Sequence, residues 1–97
     1  MNQVTPSELK HWIVQGKDFL LIDIRETWER EAFNIGGTHI PMGALLASLN
    51  RIPKDKDVVL YCEKGIRSVL AIQRLETLDF HNLINLSGGT TAWKRSM

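Results

Sequence analysis

Short, unbroken apolar runs separated by stretches of helical spacing recur along this chain. Phe19-Leu20-Leu21-Ile22 and Val58-Val59-Leu60-Tyr61-Cys62 contain no polar alternation, the pattern of parallel strands covered on both faces. Asn82-Leu83-Ile84-Asn85-Leu86 alternates and reads as a further strand. Thr38-His39-Ile40-Pro41 reads as a brief edge strand closed by proline. Between these runs lie helix signals. Thr5-Pro6-Ser7-Glu8 combines a threonine cap, an early proline and a glutamate three residues after the cap. Leu9, Trp12 and Ile13 follow on one face, and Gly16 is the stop. Thr27 to Ala32 is a short polar turn of helix, with Glu29, Arg30 and Glu31 as a solvated face, broken by Gly36-Gly37. Ala44 to Leu49 is expected to be helical, with Leu45, Leu46 and Leu49 as its apolar side. After Cys62 comes a helix with the stripe Ser68, Ala71, Ile72, Leu75 and Leu78. Ser87-Gly88-Gly89 then turns into a last short helix, Thr90 to Arg95, anchored by Trp93. Strands alternating with helices make this an α/β chain with a parallel sheet and right-handed crossovers.

Its 97 residues suit one domain, spanning 1–97, and are enough for a real core. A net charge of +1 gives no reason to expect nucleic acid or an anionic membrane as partner. The apolar runs are far too short to cross a bilayer, and Met1 to Thr5 lacks the features of a signal peptide. A single cysteine cannot form an internal disulfide, which fits a reducing cytoplasm. His11, His39 and His81 are scattered, so neither a metal nor another cofactor is expected. Trp12, Trp28 and Trp93 are expected at the core or its rim.

That one cysteine carries the chemistry. Cys62 closes an apolar run, Gly65 follows three residues later and Arg67 five, and a helix then begins. Open α/β sheets bind ligands at the carboxyl ends of their strands, where backbone N–H groups and a helix dipole favour an anion. A thiol placed there is expected to be held as thiolate, the nucleophile. Most lone cysteines are packed as small hydrophobes. Here Gly65, which permits a sharp reversal, and the cations Lys64 and Arg67 favour a reactive site.

Four segments in order resemble the single-domain rhodanese (sulfurtransferase) family. They are Leu21 to Glu26 with Trp28-Glu29, Ile35-Gly36-Gly37-Thr38-His39-Ile40-Pro41, Cys62-Glu63-Lys64-Gly65-Ile66-Arg67, and Asn85-Leu86-Ser87-Gly88-Gly89 with Trp93. The resemblance implies a rhodanese-like fold, a five-stranded, largely parallel sheet with helices on both faces. It also implies a mechanism. Cys62 takes a sulfane sulfur from thiosulfate or a persulfide donor and passes it to a thiol or to cyanide. The N–H groups of Glu63, Lys64, Gly65, Ile66 and Arg67 would surround the sulfur, and Arg67 with Lys64 would attract an anionic donor. A sulfur-relay protein is a further partner that this chemistry allows. Asp23 and Arg25, at a neighbouring strand end, are read as a structural ion pair supporting the loop rather than as catalytic groups, with Ser68 as further support.

Departures from the family pattern are Phe33-Asn34 before Ile35, Glu63 directly after the cysteine, and Asp79 at a helix end usually given to glycine. Asp tolerates the left-handed conformation that such a position needs. The Asn-Ile-Gly-Gly wording also resembles rhodanese domains attached to E1-like adenylyltransferases. Two rival readings remain. A cysteine phosphatase or arsenate reductase needs one residue more between cysteine and arginine than the four found here. A non-enzymatic docking or regulatory module would keep the fold without needing the cysteine.

Overall fold

The computed structural model describes residues 2–97. Five strands form one sheet: β1 (Asn2–Val4), β2 (Phe19–Asp23), β3 (Thr38–His39), β4 (Asp57–Tyr61) and β5 (Leu83–Leu86). Their spatial order is β1-β5-β4-β2-β3, and every pairing is parallel. Four α-helices accompany them: α1 (Pro6–Gln15), α2 (Thr27–Ala32), α3 (Ile66–Glu76) and α4 (Gly89–Arg95).

The apolar runs explain the layers. Successive strand residues point to opposite faces, so Leu20, Ile22, Val58, Leu60, Cys62 and Leu83 pack on one side with Ala71, Ile72 and Leu75 of α3. Leu21, Val59, Tyr61, Ile84 and Leu86 pack on the other with Leu9 of α1 and Trp93 of α4. Both faces are buried, which is why these strands carry no polar stripe. Around α1 the cap reads as expected. The Thr5 hydroxyl accepts from Glu8 N–H at 3.1 Å, Glu8 accepts from Thr5 N–H at 2.9 Å, and Gly16 closes the helix in the left-handed region. Asp79 takes that region after α3, at φ 71°.

Some elements differ from the sequence reading. The first strand, Asn2–Val4, was not signalled, since only Val4 of its three residues is apolar and buried. Ala44–Leu49 is not an α-helix. Met42–Ala44 and Leu46–Arg51 are two 3-10 helices, and Ser48, at φ −122° and ψ 21°, leaves helical geometry within the second. Leu45 is buried there, but Leu46 is half exposed. Leu78 is not part of the stripe: α3 ends at Glu76, and Leu78 lies beyond it, exposed. Asn82–Leu86 pairs only from Leu83, and that strand is buried on both faces rather than half exposed. Trp28 is neither core nor rim: it is 72% exposed. The short helix α2 turns the neighbouring Glu29 inward instead.

Candidate active site

Cys62 follows the last residue of β4, and its loop runs over Gly65 into α3. Gly65 sits at φ 85°, so the chain reverses there, and a side chain would crowd Gly88 N at 3.1 Å. The reversal brings Gly65 N–H to 3.1 Å from Cys62 Sγ, and Ser68 N–H to 3.4 Å. The Ser68 hydroxyl lies 3.3 Å from the same sulfur and donates to the Asn85 side-chain oxygen. Ser68 and Asn85 are both buried. The sequence reading credits the N–H groups of residues 63 to 67 with surrounding the sulfur. Of these only Gly65 is hydrogen-bonded to it, and the second donor is Ser68, one residue further on. Asn85 was missed, although its place in β5 carries a signal. By strand alternation it faces the α3 side between apolar neighbours, where a polar group needs a partner.

Helix α4 seats the other side of the loop. Thr90 N–H donates to Cys62 O and Thr91 N–H to Glu63 O, both at 2.9 Å. A trans peptide sets its C=O and N–H on opposite sides. With both carbonyls turned to α4, the N–H groups of Glu63 and Lys64 therefore point away from it. Gly89 is the contact point, because a Cβ there would fall 2.3 Å from Cys62 O.

A pocket of about 210 Å³ opens beside the thiol, lined by Cys62, Glu63, Lys64, Ile66 and Arg67. Cys62 is only 1% exposed, whereas Ile66 at the mouth is 67% exposed. Glu63 thus belongs to the pocket wall. Arg67 also lines the pocket, but it is not a free cation. Its two terminal nitrogens donate to the two Glu29 oxygens at 2.8 and 2.7 Å. Each partner shifts the other. The bond to Arg67 outweighs burial and holds the Glu29 carboxyl below the usual range, while Glu29 pushes the Arg67 guanidinium up.

Glu29 is 8% exposed. Reading it with Arg30 as a solvated face is therefore wrong: Glu29 also accepts from Glu26 N–H at 3.0 Å, and Arg30 donates to Asp23 at 3.2 Å and to Gly37 O at 2.8 Å. A charged face and a clamp look alike in sequence when the partner lies 38 residues away.

Asp23 and Arg25 stand one strand over. Arg25 donates from Nε to Asp23 Oδ1 and from Nη2 to Oδ2, both at 2.9 Å, and from Nη2 to Phe33 O at 2.7 Å. Both side chains are almost fully buried. Burial pushes the Asp23 carboxyl up, but the bonds from Arg25 outweigh it and leave the carboxyl below its ordinary value. Neither group lines the pocket; the pair holds the β2–α2 junction from which Glu29 reaches Arg67. Asn34 supports the next turn by accepting from Gly36 N–H at 2.9 Å. Among the described residues no cluster is placed to hold a metal ion. No helix among them is long and apolar enough to cross a membrane.

The chain is similar to known proteins over nearly its whole length. A family model, the rhodanese-like domain, matches residues 5–96. A sulfurtransferase of Allochromatium vinosum is 33% identical over 96 residues, covering 98% of this chain and 90% of that protein. The probable adenylyltransferase/sulfurtransferase MoeZ of Mycobacterium tuberculosis is 34% identical over 97 residues, and this chain spans only 25% of its length. The crystal structure of a rhodanese-like domain protein from Staphylococcus aureus superposes with a TM-score of 0.88 at 28% identity, covering 96% of this chain and 91% of that one. With the match running from the cap of α1 to the end of α4, and the same fold beneath it, the chain belongs to the rhodanese-like family.

Proposed function

We propose that the protein is a sulfurtransferase in which Cys62 carries the sulfur. The thiolate attacks the sulfane sulfur of thiosulfate or of a persulfide donor. The donor's sulfur–sulfur bond breaks, its electron pair leaves with sulfite or the donor thiolate, and Cys62 becomes a persulfide. An acceptor thiol, or cyanide in an assay, then attacks the outer sulfur and returns the electron pair to Cys62. The observation that carries the reading is a thiol at a strand's carboxyl end, beside an open pocket, with two backbone N–H groups aimed at its sulfur. Acceptor thiols are plentiful in a reducing cytoplasm, where we place the reaction, and a sulfur-relay protein would be a fitting partner. Incubation with thiosulfate or a small persulfide should add the mass of one sulfur atom to the Cys62 peptide, and cyanide should remove it. Protein whose Cys62 has first been alkylated should gain none; sulfur loading that survives alkylation would overturn the proposal.

The charges of the pocket bear on the donor. Arg67 is neutralised by Glu29, and Glu63 opposes Lys64. The wall thus offers a dianion no net positive charge. Glu63→Arg should raise the specificity constant for thiosulfate about tenfold at low ionic strength, by Coulomb attraction. The gain should shrink as salt is added and be smaller for an uncharged persulfide donor. Steady-state kinetics at two salt concentrations checks this.

A further inference from the structure

Ser68 has one hydroxyl proton and two claimants for it. Its oxygen lies 3.3 Å from Cys62 Sγ, and its proton goes to the Asn85 side-chain oxygen. All three residues are nearly or fully buried, so water does not compete freely for the bond. We infer that Asn85 is a positioning residue: by holding the Ser68 proton it turns a hydroxyl lone pair, not a donor, toward the reactive sulfur.

The polarity of this relay acts differently on each state of Cys62. A thiol donates its S–H to the Ser68 oxygen, and both hydrogen bonds of the relay are made. A thiolate receives the N–H groups of Gly65 and Ser68 but meets the lone pair of the hydroxyl. The hydroxyl can turn its proton to the sulfur only by leaving the buried Asn85 oxygen unpaired, which is costly. The relay therefore presents a lone pair to the sulfur, which only the thiol of the discharged enzyme can meet with a proton. When an acceptor thiolate takes the outer sulfur, the electron pair of the broken S–S bond returns to Sγ, and a proton from solvent completes a thiol that Ser68 is oriented to accept. The inference deepens the sulfur-carrier reading, yet its test needs no sulfur donor.

Asn85→Leu suits a buried strand and frees the Ser68 proton to donate to the sulfur. Ser68→Ala removes the opposing lone pair without supplying a donor. The charged groups around the thiol (Glu63, Lys64, and Arg67 with Glu29 behind it) are common to all variants. Alkylation by iodoacetamide near neutral pH, with thiolate ultraviolet absorbance followed against pH, reads the effect. A hydroxyl bond gained by a charged sulfur should raise the thiolate fraction roughly tenfold in Asn85→Leu. Intrinsic nucleophilicity falls with a Brønsted slope of ~0.45, leaving about a threefold faster alkylation. Ser68→Ala should be faster than wild type by a smaller factor, and the double variant should match Ser68→Ala. A structural role alone would alter melting without this order. If Ser68→Ala alkylates more slowly than wild type, the hydroxyl donates to the sulfur, the relay runs the other way, and the inference is overturned. Should Asn85→Leu fail to fold, the direction of the Ser68→Ala change still decides.

Discussion

Gly89→Ala is expected to cut sulfur loading of Cys62 about a hundredfold while leaving most of the fold in place. An added methyl would sit 2.3 Å from Cys62 O, 2.5 Å from Glu63 O and 2.6 Å from Glu63 C. These are backbone atoms, so no side chain can swing aside. Gly89 also sits at φ 58°, a conformation that alanine adopts only with strain. Relief requires the Cys62 loop and the start of α4 to part. Parting them loses the bonds from Thr90 N–H and Thr91 N–H, about 1 kcal/mol each. Stability should therefore fall by a few kcal/mol at most. Activity should fall further, because displacing reacting groups by ~1 Å costs roughly 100-fold. Gly43→Ala is the control: nothing lies within 4 Å of its added methyl and its φ is not positive, so both properties should hold. Loading kinetics and a thermal melt on the two variants decide the matter. Near-normal loading by Gly89→Ala would mean that α4 does not seat the loop.

Asp23→Asn should produce the largest loss of stability, about 3–5 kcal/mol, the usual effect of removing one partner of a buried ion pair. It leaves Arg25, 3% exposed, with carbonyl acceptors only, and takes an anionic partner from Arg30. For a domain of this size that lowers Tm by well over ~10 °C. Acid behaviour gives a second readout. Asp23 and Glu29 are held below their ordinary values when folded, and unfolded carboxyls titrate near pH ~4. Their stabilisation is complete above that pH and is lost as pH falls through the folded values. The wild-type stability curve should drop below about pH 4, and Asp23→Asn should flatten that limb. Denaturant melts across acid pH measure both effects. A wild-type Tm for the variant would show the pair to be dispensable.

What could be read in advance follows from where each residue's partner lies. The strands β2 and β4 were legible because burial on both faces leaves no polar position to confuse the pattern. The start of α1 was legible because Thr5 and Glu8 answer each other three residues apart. Cys62, Gly65 and Ser68 lie close together along one loop and the first turn of α3, so their meeting could be foreseen in outline. Glu29 could not be placed, since nothing local distinguishes it from Glu31, and Arg67 comes two strands later. Asn85 was hidden by its own strand, where one polar residue among apolar ones reads as ordinary alternation. Asn2–Val4 was hidden for the opposite reason: its pairing with Ile84 to Leu86 is made by backbone groups, which leave little mark on side-chain choice.

The order of strands in the sheet also bears on how the protein is made. A ribosome delivers β1 first, yet its one neighbour is β5, and Gly89 to Thr91, which seat the Cys62 loop, come later still. Cys62 therefore leaves the ribosome well before the segments that enclose it. Throughout that interval the thiol lies on open chain, without the two N–H groups that the folded loop and α3 aim at its sulfur. The sulfur site is therefore complete only once Gly89 to Thr91 have been made.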